Sequence, residues 1–71
     1  MSSEKKRFGR NLNRLRTAAG LTQEDLAEKS EISVRYLQFL EAGRYVPTVV
    51  VAGRIRKGLR CSWDELMKGI D

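Results

Sequence analysis

Along most of this chain the apolar residues recur every three or four positions, which is the spacing of one face of an α-helix. The first apolar stripe spans Phe8 to Ala19, and its members lie four, three and four residues apart. Ser3 precedes the stripe as a candidate N-cap, so the pattern predicts a first helix from there to about Ala19. Gly9 lies inside this helix, where glycine is about 1 kcal/mol worse than alanine, and we therefore expect another backbone to pass close to it.

Two short helices joined by a tight turn are predicted between Thr22 and Gly43. Thr22 is a candidate N-cap with Asp25 as a weak capping-box partner, and Ser33 is the candidate cap of the second short helix. Gly43 is placed to end that second helix in a left-handed conformation. Ala27 supports this interpretation, because a small side chain lets two helix axes approach closely. Together these features predict a helix-turn-helix.

The last third of the chain predicts two further helices. Thr48 is a candidate cap for a fourth helix of about residues 49–59. Its first three residues are valines, which alone would favour a strand, but the later apolar positions continue at helical spacing. A good capping box at residues 62–65 begins a fifth helix of about residues 63–68. The predicted fold class is all-α, a compact five-helix domain in which helices two and three form the helix-turn-helix.

The size and composition fit one small domain. The 71 residues are 41% hydrophobic, which is enough for a small core, and no linker is long enough to separate domains. We expect residues 1–3 to be frayed or disordered and residues 4–70 to form a single domain. The apolar stretches are too short and too interrupted by charge to cross a membrane, so no membrane partner is expected.

The charge balance favours a polyanionic partner. Lys and Arg number 14 against 9 Asp and Glu, which gives a net charge of +5. Much of the surplus lies on the first helix, between Lys5 and Arg16. Most of these basic residues are interpreted as a solvated helix face, with contact to DNA as the alternative.

Few residues are available for catalysis or metal binding. Cys61 is the only cysteine and histidine is absent, which excludes an internal disulfide and a cysteine-rich metal site. Without a nucleophile–base pair or a phosphate-binding glycine loop, an enzyme is the least favoured class. We expect no cofactor, no metal and no small-molecule ligand. No apolar run follows the basic N-terminus, so a secretory signal is not predicted and a reducing cytoplasm is the expected compartment.

Short motifs that match one protein family run in order along most of the chain. They are Leu15-Arg16, GLTQEDLA at 20–27, Ile32-Ser33, Tyr36-Leu37, LEAG at 40–43, Pro47-Thr48, Ile55, Leu59 and SWDEL at 62–66. On these motifs the region from Phe8 to Lys68 resembles the phage Cro and C1 repressor-like helix-turn-helix family, also called the XRE family. The resemblance implies that helices two and three form a DNA-reading unit whose second helix lies in the major groove.

The resemblance also implies which residues contact DNA. They are Thr22, Gln23, Val34, Arg35, Tyr36, Gln38, Phe39, Arg44 and Tyr45. Thr22 is expected to present its backbone amide to a phosphate at the start of helix two, and Gln23 to contact a phosphate or a base edge. Arg44 and Tyr45 follow the recognition helix, at positions where relatives hold the DNA backbone.

Within the recognition helix the expected contacts differ from one side chain to the next. Arg35 has the reach and the forked shape to bind guanine O6 and N7, with phosphate or solvent as alternatives, and Gln38 suits adenine or a phosphate. Val34 fits a thymine methyl group. Phe39 is expected to point outward, where it either touches thymine methyl groups or packs against a neighbouring side chain. Tyr36 is expected either to face a phosphate or to be an interior aromatic residue.

Two further expectations concern the internal structure of the unit. The resemblance implies an ion pair between Arg16 and Glu41, which links the first helix to the end of the recognition helix. Relatives commonly have glycine in the turn where this chain has Glu31. We therefore expect Glu31 either to adopt a strained left-handed conformation or to belong to a different turn.

The favoured function is a sequence-specific, DNA-binding regulator of transcription that acts on double-stranded DNA. One recognition helix reads only a few base pairs, so a homodimer on a palindrome is expected, with half-sites roughly 34 Å apart. The expected dimer surface lies on helices four and five, and ordinary core positions remain the alternative for Trp63 and Leu66. Its residues are Val50, Val51, Trp63, Leu66, Met67 and Ile70. The expected location is the cytoplasm, at the nucleoid.

A protein-interaction module is the alternative function. In that case the helix-turn-helix is a scaffold of the antitoxin or coactivator type, and its target is another protein. The outward Gln23, Arg35 and Gln38 favour DNA, whereas an outward Phe39 mildly favours a protein surface.

Overall fold

The computed structural model describes residues 3–70, and within them it contains five α-helices and no strand. The helices are α1 Glu4–Ala18, α2 Gln23–Ser30, α3 Val34–Glu41, α4 Val49–Leu59 and α5 Trp63–Leu66. The all-α, five-helix fold is therefore confirmed, with α2 and α3 as the helix-turn-helix. α5 is shorter than predicted, because Met67 already departs from helical geometry and the chain then turns through Gly69 at φ 78°. None of the helices within residues 3–70 has the length and hydrophobicity needed to cross a bilayer.

Every one of these helices begins at a hydroxyl side chain that accepts a hydrogen bond from the backbone amide three residues further on. The caps are Ser3, Thr22, Ser33, Thr48 and Ser62. In α2 and α5 the acidic residue at that third position accepts a bond from the amide of the cap, which completes both capping boxes. Ser3 acts as the cap of α1, whereas the expectation of disorder for residues 1 and 2 lies outside the described residues.

The core lies where the five helices meet. Its members are Phe8, Leu12, Leu26, Ala27, Leu37, Leu40, Ile55, Leu59, Cys61 and Leu66. Burial of each large apolar side chain contributes roughly 1.5–3 kcal/mol. α1 packs against α3 and α5, while α2 packs against α3 and α4. The recognition helix is thus held from two sides, by α1 and by α2.

The backbones of α1 and α3 lie close together at Gly9. A Cβ atom at this position would lie 2.6 Å from the carbonyl oxygen of Leu40 and 2.7 Å from that of Glu41. Any side chain here would therefore push the end of α3 away from α1. The close backbone approach predicted for Gly9 is confirmed, and it determines where the recognition helix ends relative to α1.

Two residues other than glycine end helices in the left-handed region. Glu31 follows α2 with φ 58°, and Arg60 follows α4 with φ 56°. Such a conformation costs a residue with a Cβ roughly 1 kcal/mol or more. Glu31 thus adopts the strained turn that was one of its two expected states. The amides of Glu31 and Ile32 bond back to carbonyls of α2 at 3.2 and 3.0 Å, and these bonds hold the tight turn that leads into α3.

Candidate nucleic-acid interface

The outward face of α3 is defined by the side chains buried on its inner face. Leu37 and Leu40 are fully buried in the core. Arg35 and Gln38 are exposed, and Phe39 is half-buried. Arg35 and Phe39 are four residues apart and therefore lie one helical turn from each other on the same face. α3 thus presents a cation, an amide and part of an aromatic ring to solvent.

Phe39 is covered by three neighbouring side chains. The guanidinium carbons of Arg35 and Arg44 lie 5.6 and 5.5 Å from the centre of its ring, which is within the range of cation–π attraction. The ring of Tyr45 meets it edge-on, with 5.6 Å between centroids and 75° between ring planes. Packing against neighbours, one of the two expectations for Phe39, is therefore observed.

An open apolar groove runs beside this ring. Tyr36 and Tyr45 also pack together, with 6.3 Å between their ring centroids. The groove has a volume of about 420 Å³. Its lining residues are Ser33, Arg35, Tyr36, Phe39, Tyr45 and Val46. Tyr36 is half-buried at the wall of the groove, and its contact with a phosphate remains a prediction.

Glu41 is the centre of a polar cluster that joins α1, α2 and α3. Its side chain is only 6% exposed, and that of Arg16 is 14% exposed. Arg16 donates to one carboxylate oxygen from Nε at 2.7 Å and to the other from Nη2 at 3.2 Å. Asn13 and Gln23 donate to the same carboxylate at 3.0 and 3.1 Å. The fold thus brings the two expected ion-pair partners together and adds two neutral donors.

The cluster keeps Glu41 ionised although it is buried. Burial disfavours the carboxylate, but hydrogen bonds from Arg16, Asn13 and Gln23 outweigh it, and the pKa of Glu41 lies below its ordinary value. The hydrogen bond to Glu41 in turn raises the pKa of Arg16. Arg16 also donates from Nη1 to the carbonyl oxygen of Leu21 at 2.8 Å, so all three of its guanidinium nitrogens have a hydrogen-bond acceptor. Removing either charged partner would leave the other buried and unpaired.

Gln23 connects this cluster to the recognition helix. Its Nε2 donates to Glu41, and its Oε1 accepts a hydrogen bond from Nε2 of Gln38 at 3.3 Å. Gln23 is half-buried at the first position of α2, whereas Gln38 is exposed on α3. A chain of hydrogen bonds therefore runs from the buried ion pair out to the surface. It restricts both glutamine side chains before any ligand is bound.

The amide of Thr22 and part of the Val34 side chain already have partners within the chain. The amide of Thr22 donates to Oδ2 of Asp25 at 3.0 Å within the capping box, so this amide is not free for a phosphate. The hydrogen bonds from Thr22 lower the pKa of Asp25, which keeps the carboxylate charged in this role. Val34 is half-buried and packs against the core, because it lies one helical turn before the buried Leu37.

Two residues of this region were missing from the sequence prediction. Asn13 donates to Glu41, and Val46 lines the apolar groove. Asn13 precedes Arg16 by three positions and therefore shares its side of α1, which was the available signal. For Val46 the signal was an apolar residue directly before Pro47, in the loop predicted after the recognition helix, and the structure shows that this residue is exposed.

A second group of basic side chains lies between α1 and the C-terminal turn. The residues that line this hollow are Arg7, Arg10, Asn11, Arg14, Lys68 and Gly69. Asn11 is buried, and its Nδ2 donates to the carbonyl oxygens of Leu66 and Lys68 at 2.9 Å. Arg7 donates from Nη1 to the carbonyl oxygen of Gly69 at 3.2 Å. Part of the basic face of α1 thus fastens the end of the chain.

The expected dimer surface divides into exposed and buried positions. Val50 is 60% exposed, and Trp63 and Met67 are also exposed although Arg56 stacks on the indole at 5.4 Å. Val51 and Ile70 are half-buried against the core. Leu66 is fully buried, which corrects its assignment to a dimer surface. It faces inward because α5 packs on α1, so Leu66 is an ordinary core residue.

Val46 and Val49 extend this apolar region towards the loop after α3. Val49 is 77% exposed, and both valines line a hollow of about 210 Å³ beside the indole of Trp63. The remaining lining residues are Phe8, Pro47, Ala52 and Met67. Val46 also belongs to the groove beside Phe39, so the two apolar hollows are neighbours.

Comparison with known proteins assigns the chain to a family. A helix-turn-helix family model matches residues 12–66, which include α2 and α3 in full. The HTH-type transcriptional regulator y4dJ of Sinorhizobium fredii is 40% identical over 67 residues, which span 94% of this chain and 87% of the relative. The chain belongs to the helix-turn-helix family. The resemblance to Cro and C1 repressor-like proteins is thereby confirmed.

Solved structures of two controller proteins are similar to this helix-turn-helix protein. The restriction-modification controller protein C.AhdI from Aeromonas hydrophila has a TM-score of 0.86 at 32% identity, over 92% of this chain and 98% of that chain. The restriction-modification controller protein C.Esp1396I, as a tetramer in complex with its natural 35 base-pair operator, has a TM-score of 0.80 at 28% identity, over 96% and 100%. This helix-turn-helix protein therefore belongs to a family of DNA-binding regulators of transcription.

Proposed function

We propose that the chain binds a palindromic operator as a homodimer and that α3 of each subunit enters the major groove. The outward face of α3 is the observation that carries this proposal. Arg35 is held against Phe39, and Gln38 is held by Gln23, which is itself bonded to buried Glu41. Side chains that are already restricted lose less conformational entropy when they meet the bases.

Arg35 and Gln38 are the proposed readers of base edges. The guanidinium of Arg35 matches guanine O6 and N7. Gln38 uses one N–H of Nε2 for Gln23, so its second N–H and its Oε1 are the pair that matches adenine N7 and N6. Val34 is the proposed partner of a thymine methyl group at the start of α3, through the part of its side chain that the core leaves exposed.

Phosphate contacts are proposed on both sides of the base readers. The first turn of α2, which begins at Gln23 after the cap Thr22, offers backbone amides and the positive end of the helix dipole. Arg44 and Tyr45 are exposed in the loop after α3, and Tyr36 lies at the wall of the adjoining groove. These contacts position α3 without reading sequence, and they make binding sensitive to salt.

The homodimer is proposed to form through α4 and α5. Val50, Trp63 and Met67 expose apolar surface there, and half-buried Val51 and Ile70 border it. Contiguous apolar surface of this kind marks interaction sites on small proteins. The tetramer of the similar controller protein on its operator supports an assembly of several copies on DNA. In this proposal residues 4–70 act as one domain, and the protein works in the cytoplasm, at the nucleoid.

A protein-interaction module is the second candidate function. The open apolar groove beside Phe39 favours it, because its aromatic rings and its one valine suit a protein partner as well as DNA. In that case α3 would contact the partner through Phe39 and Tyr45 instead of base edges.

Selection of bound sequences from random duplexes at two salt concentrations tests the proposal. We expect enrichment of a palindrome whose half-sites lie about one helical turn apart, roughly 34 Å. The affinity for random duplexes should fall steeply with salt, because released counterions drive the phosphate contacts. If no sequence is enriched at either salt concentration, the base-reading function is wrong and the protein-interaction module is favoured.

A further inference from the structure

The aromatic ring at the centre of the recognition face is the feature that the proposed function leaves unexplained. Phosphate contacts and hydrogen bonds to base edges need polar groups, yet Phe39 takes the outward position one turn after Arg35. The guanidinium groups of Arg35 and Arg44 lie over its ring, and the ring of Tyr45 meets it edge-on. Two cations beside one ring also draw the phosphates of a duplex towards it.

The geometry around Arg35 combines a hydrogen-bonding fork with an apolar wall. The guanidinium carbon lies 5.6 Å from the centre of the Phe39 ring. The groove beside it has about 420 Å³ of space and is lined mainly by aromatic and aliphatic carbon. When a guanidinium binds guanine O6 and N7, the pyrimidine on the 5′ side of that guanine directs its C5 position to the same part of the major groove.

We propose that Arg35 and Phe39 together read a 5-methylpyrimidine followed by guanine, with the C5-methyl group seated in the groove beside the ring. Thymine supplies that methyl group in unmodified DNA, and 5-methylcytosine supplies it in methylated DNA. Cytosine methylation at this step would therefore strengthen binding to the operator. This inference rests on the proposed function, because it requires α3 to lie in the major groove.

The expected effect is set by one buried methyl group. Burial of one such group changes a binding constant by about fourfold. The effect belongs to a single base step in each half-site, so a dimer on a palindrome should show it twice. Phe39 could instead act only as a support that holds Arg35 in place, and in that case the methyl group would make no difference.

Base analogues in the selected operator separate these two roles. The guanine read by Arg35 is first identified as the position at which Arg35→Ala no longer prefers guanine. The full chain is then titrated by fluorescence anisotropy against duplexes that carry thymine, uracil, cytosine or 5-methylcytosine directly before that guanine. We expect the two methylated bases to bind about fourfold more tightly per half-site than their unmethylated counterparts. In Phe39→Ala this difference should disappear, whereas Phe39→Leu, which keeps an apolar side chain, should retain part of it. Circular dichroism checks that both variants fold.

Several results would overturn the inference. Equal affinity for all four duplexes, with the guanine preference intact, would show that Phe39 only supports Arg35. Weaker binding to 5-methylcytosine would show that the groove excludes the methyl group. A purine before the guanine in the selected operator would also be incompatible with it. Failure to select any operator would instead contradict the proposed function itself, so the two failures are distinguishable.

Discussion

Two surfaces of the molecule are exposed. The recognition face is the outward face of α3 with Arg35, Gln38 and Phe39, and the α4–α5 face carries Val50, Trp63 and Met67. They differ in whether hydrogen bonds within the single chain hold their side chains in place. On the recognition face, Gln38 is bonded to Gln23, and Gln23 is bonded to Glu41, whose side chain is 6% exposed. On the α4–α5 face, Val50 and Trp63 are 60% and 43% exposed, and the contact described for the indole is the stacked guanidinium of Arg56.

The proposed function has two parts, base reading by α3 and dimerisation through α4 and α5, and this difference lets them be tested separately. A network anchored in the core can present base-reading groups in a monomer, so sequence preference should be a property of one chain. Exposed apolar surface becomes stabilising only when another molecule covers it. Affinity for a palindrome should therefore depend on the α4–α5 face, while the identity of the preferred bases should not.

The largest effect is expected when the polar anchor of the recognition face is removed. Glu41→Ala should destabilise the fold by about 3–5 kcal/mol, because it leaves the charge of Arg16 buried without its partner. Thermal denaturation should show a lower melting temperature, and affinity for the selected operator should fall with it. The double variant Arg16→Leu, Glu41→Leu should recover part of the loss, since no buried charge is then unpaired. An unchanged melting temperature in Glu41→Ala would reject the importance of the pair.

The same anchor should make stability depend on pH in the acid range. The pKa of Glu41 in the folded chain lies below its ordinary value, because the hydrogen bonds to its carboxylate outweigh the effect of burial. Its contribution is therefore complete above the pKa of the unfolded chain and is lost as the pH falls through the lower pKa of the folded chain. Urea unfolding measures the free energy of unfolding of the wild type and of Glu41→Gln between pH 7 and pH 3, in steps of about one pH unit. This free energy should fall more steeply with decreasing pH in the wild type.

Asp25 and Glu65 also have lowered pKa values, from the hydrogen bonds of their capping boxes. Both residues are present in the wild type and in Glu41→Gln, so the difference between the two proteins isolates Glu41. Identical acid profiles would mean that the buried carboxylate does not contribute as described.

A substitution on the α4–α5 face can prevent self-association and leave the recognition face unchanged. Val50→Glu should leave the monomer folded, because the side chain is exposed in the single chain. It should raise the dissociation constant of the dimer by at least about tenfold, since a charge would be buried in an apolar interface. Sedimentation over a concentration series measures this effect, with exposed Thr17→Glu on α1 as the matched control. Equal self-association of both variants would place the dimer surface elsewhere.

The smallest expected effect concerns the two left-handed turns that end α2 and α4. Glu31 before the recognition helix and Arg60 after α4 both have left-handed backbones. Glu31→Gly and Arg60→Gly should each stabilise the fold by about 0.5–1 kcal/mol, because glycine relieves the strain of the Cβ at positive φ. Urea unfolding measures the gain. A loss of stability in either variant would mean that the side chain contributes more than the strain costs.

Local features of the sequence were enough to predict the helices and several of their contacts. Hydroxyl caps such as Thr22 and Ser62, apolar spacing and the break at Pro47 act over a few residues, so they can be recognised without knowledge of the fold. Gly9 could be interpreted because an interior glycine in a helix needs a steric reason. Glu31 was singled out by comparison with the family pattern.

Contacts between distant residues were less predictable. The bonds of Gln23 to Glu41 and Gln38 depend on how α2 and α3 pack, and neither residue signals that partner through its neighbours in sequence. Leu66 was open to two assignments because an apolar residue near the end of a chain suits a core and an interface equally. The rotation of the short helix α5 on α1 decided this assignment in favour of the core.

The central claim is that side chains on the outward face of α3 read base edges, and a single-substitution affinity series tests it most directly. The wild type and Arg35→Ala are titrated against the selected operator and against operators with one base pair changed at a time. Arg10→Ala, which removes an equal charge from the exposed face of α1, is the matched control. We predict that Arg35→Ala loses discrimination of about 1–3 kcal/mol at one guanine in each half-site and keeps it elsewhere, while Arg10→Ala keeps it everywhere. Uniform weakening across all operators in Arg35→Ala, with every base preference intact, would contradict the account.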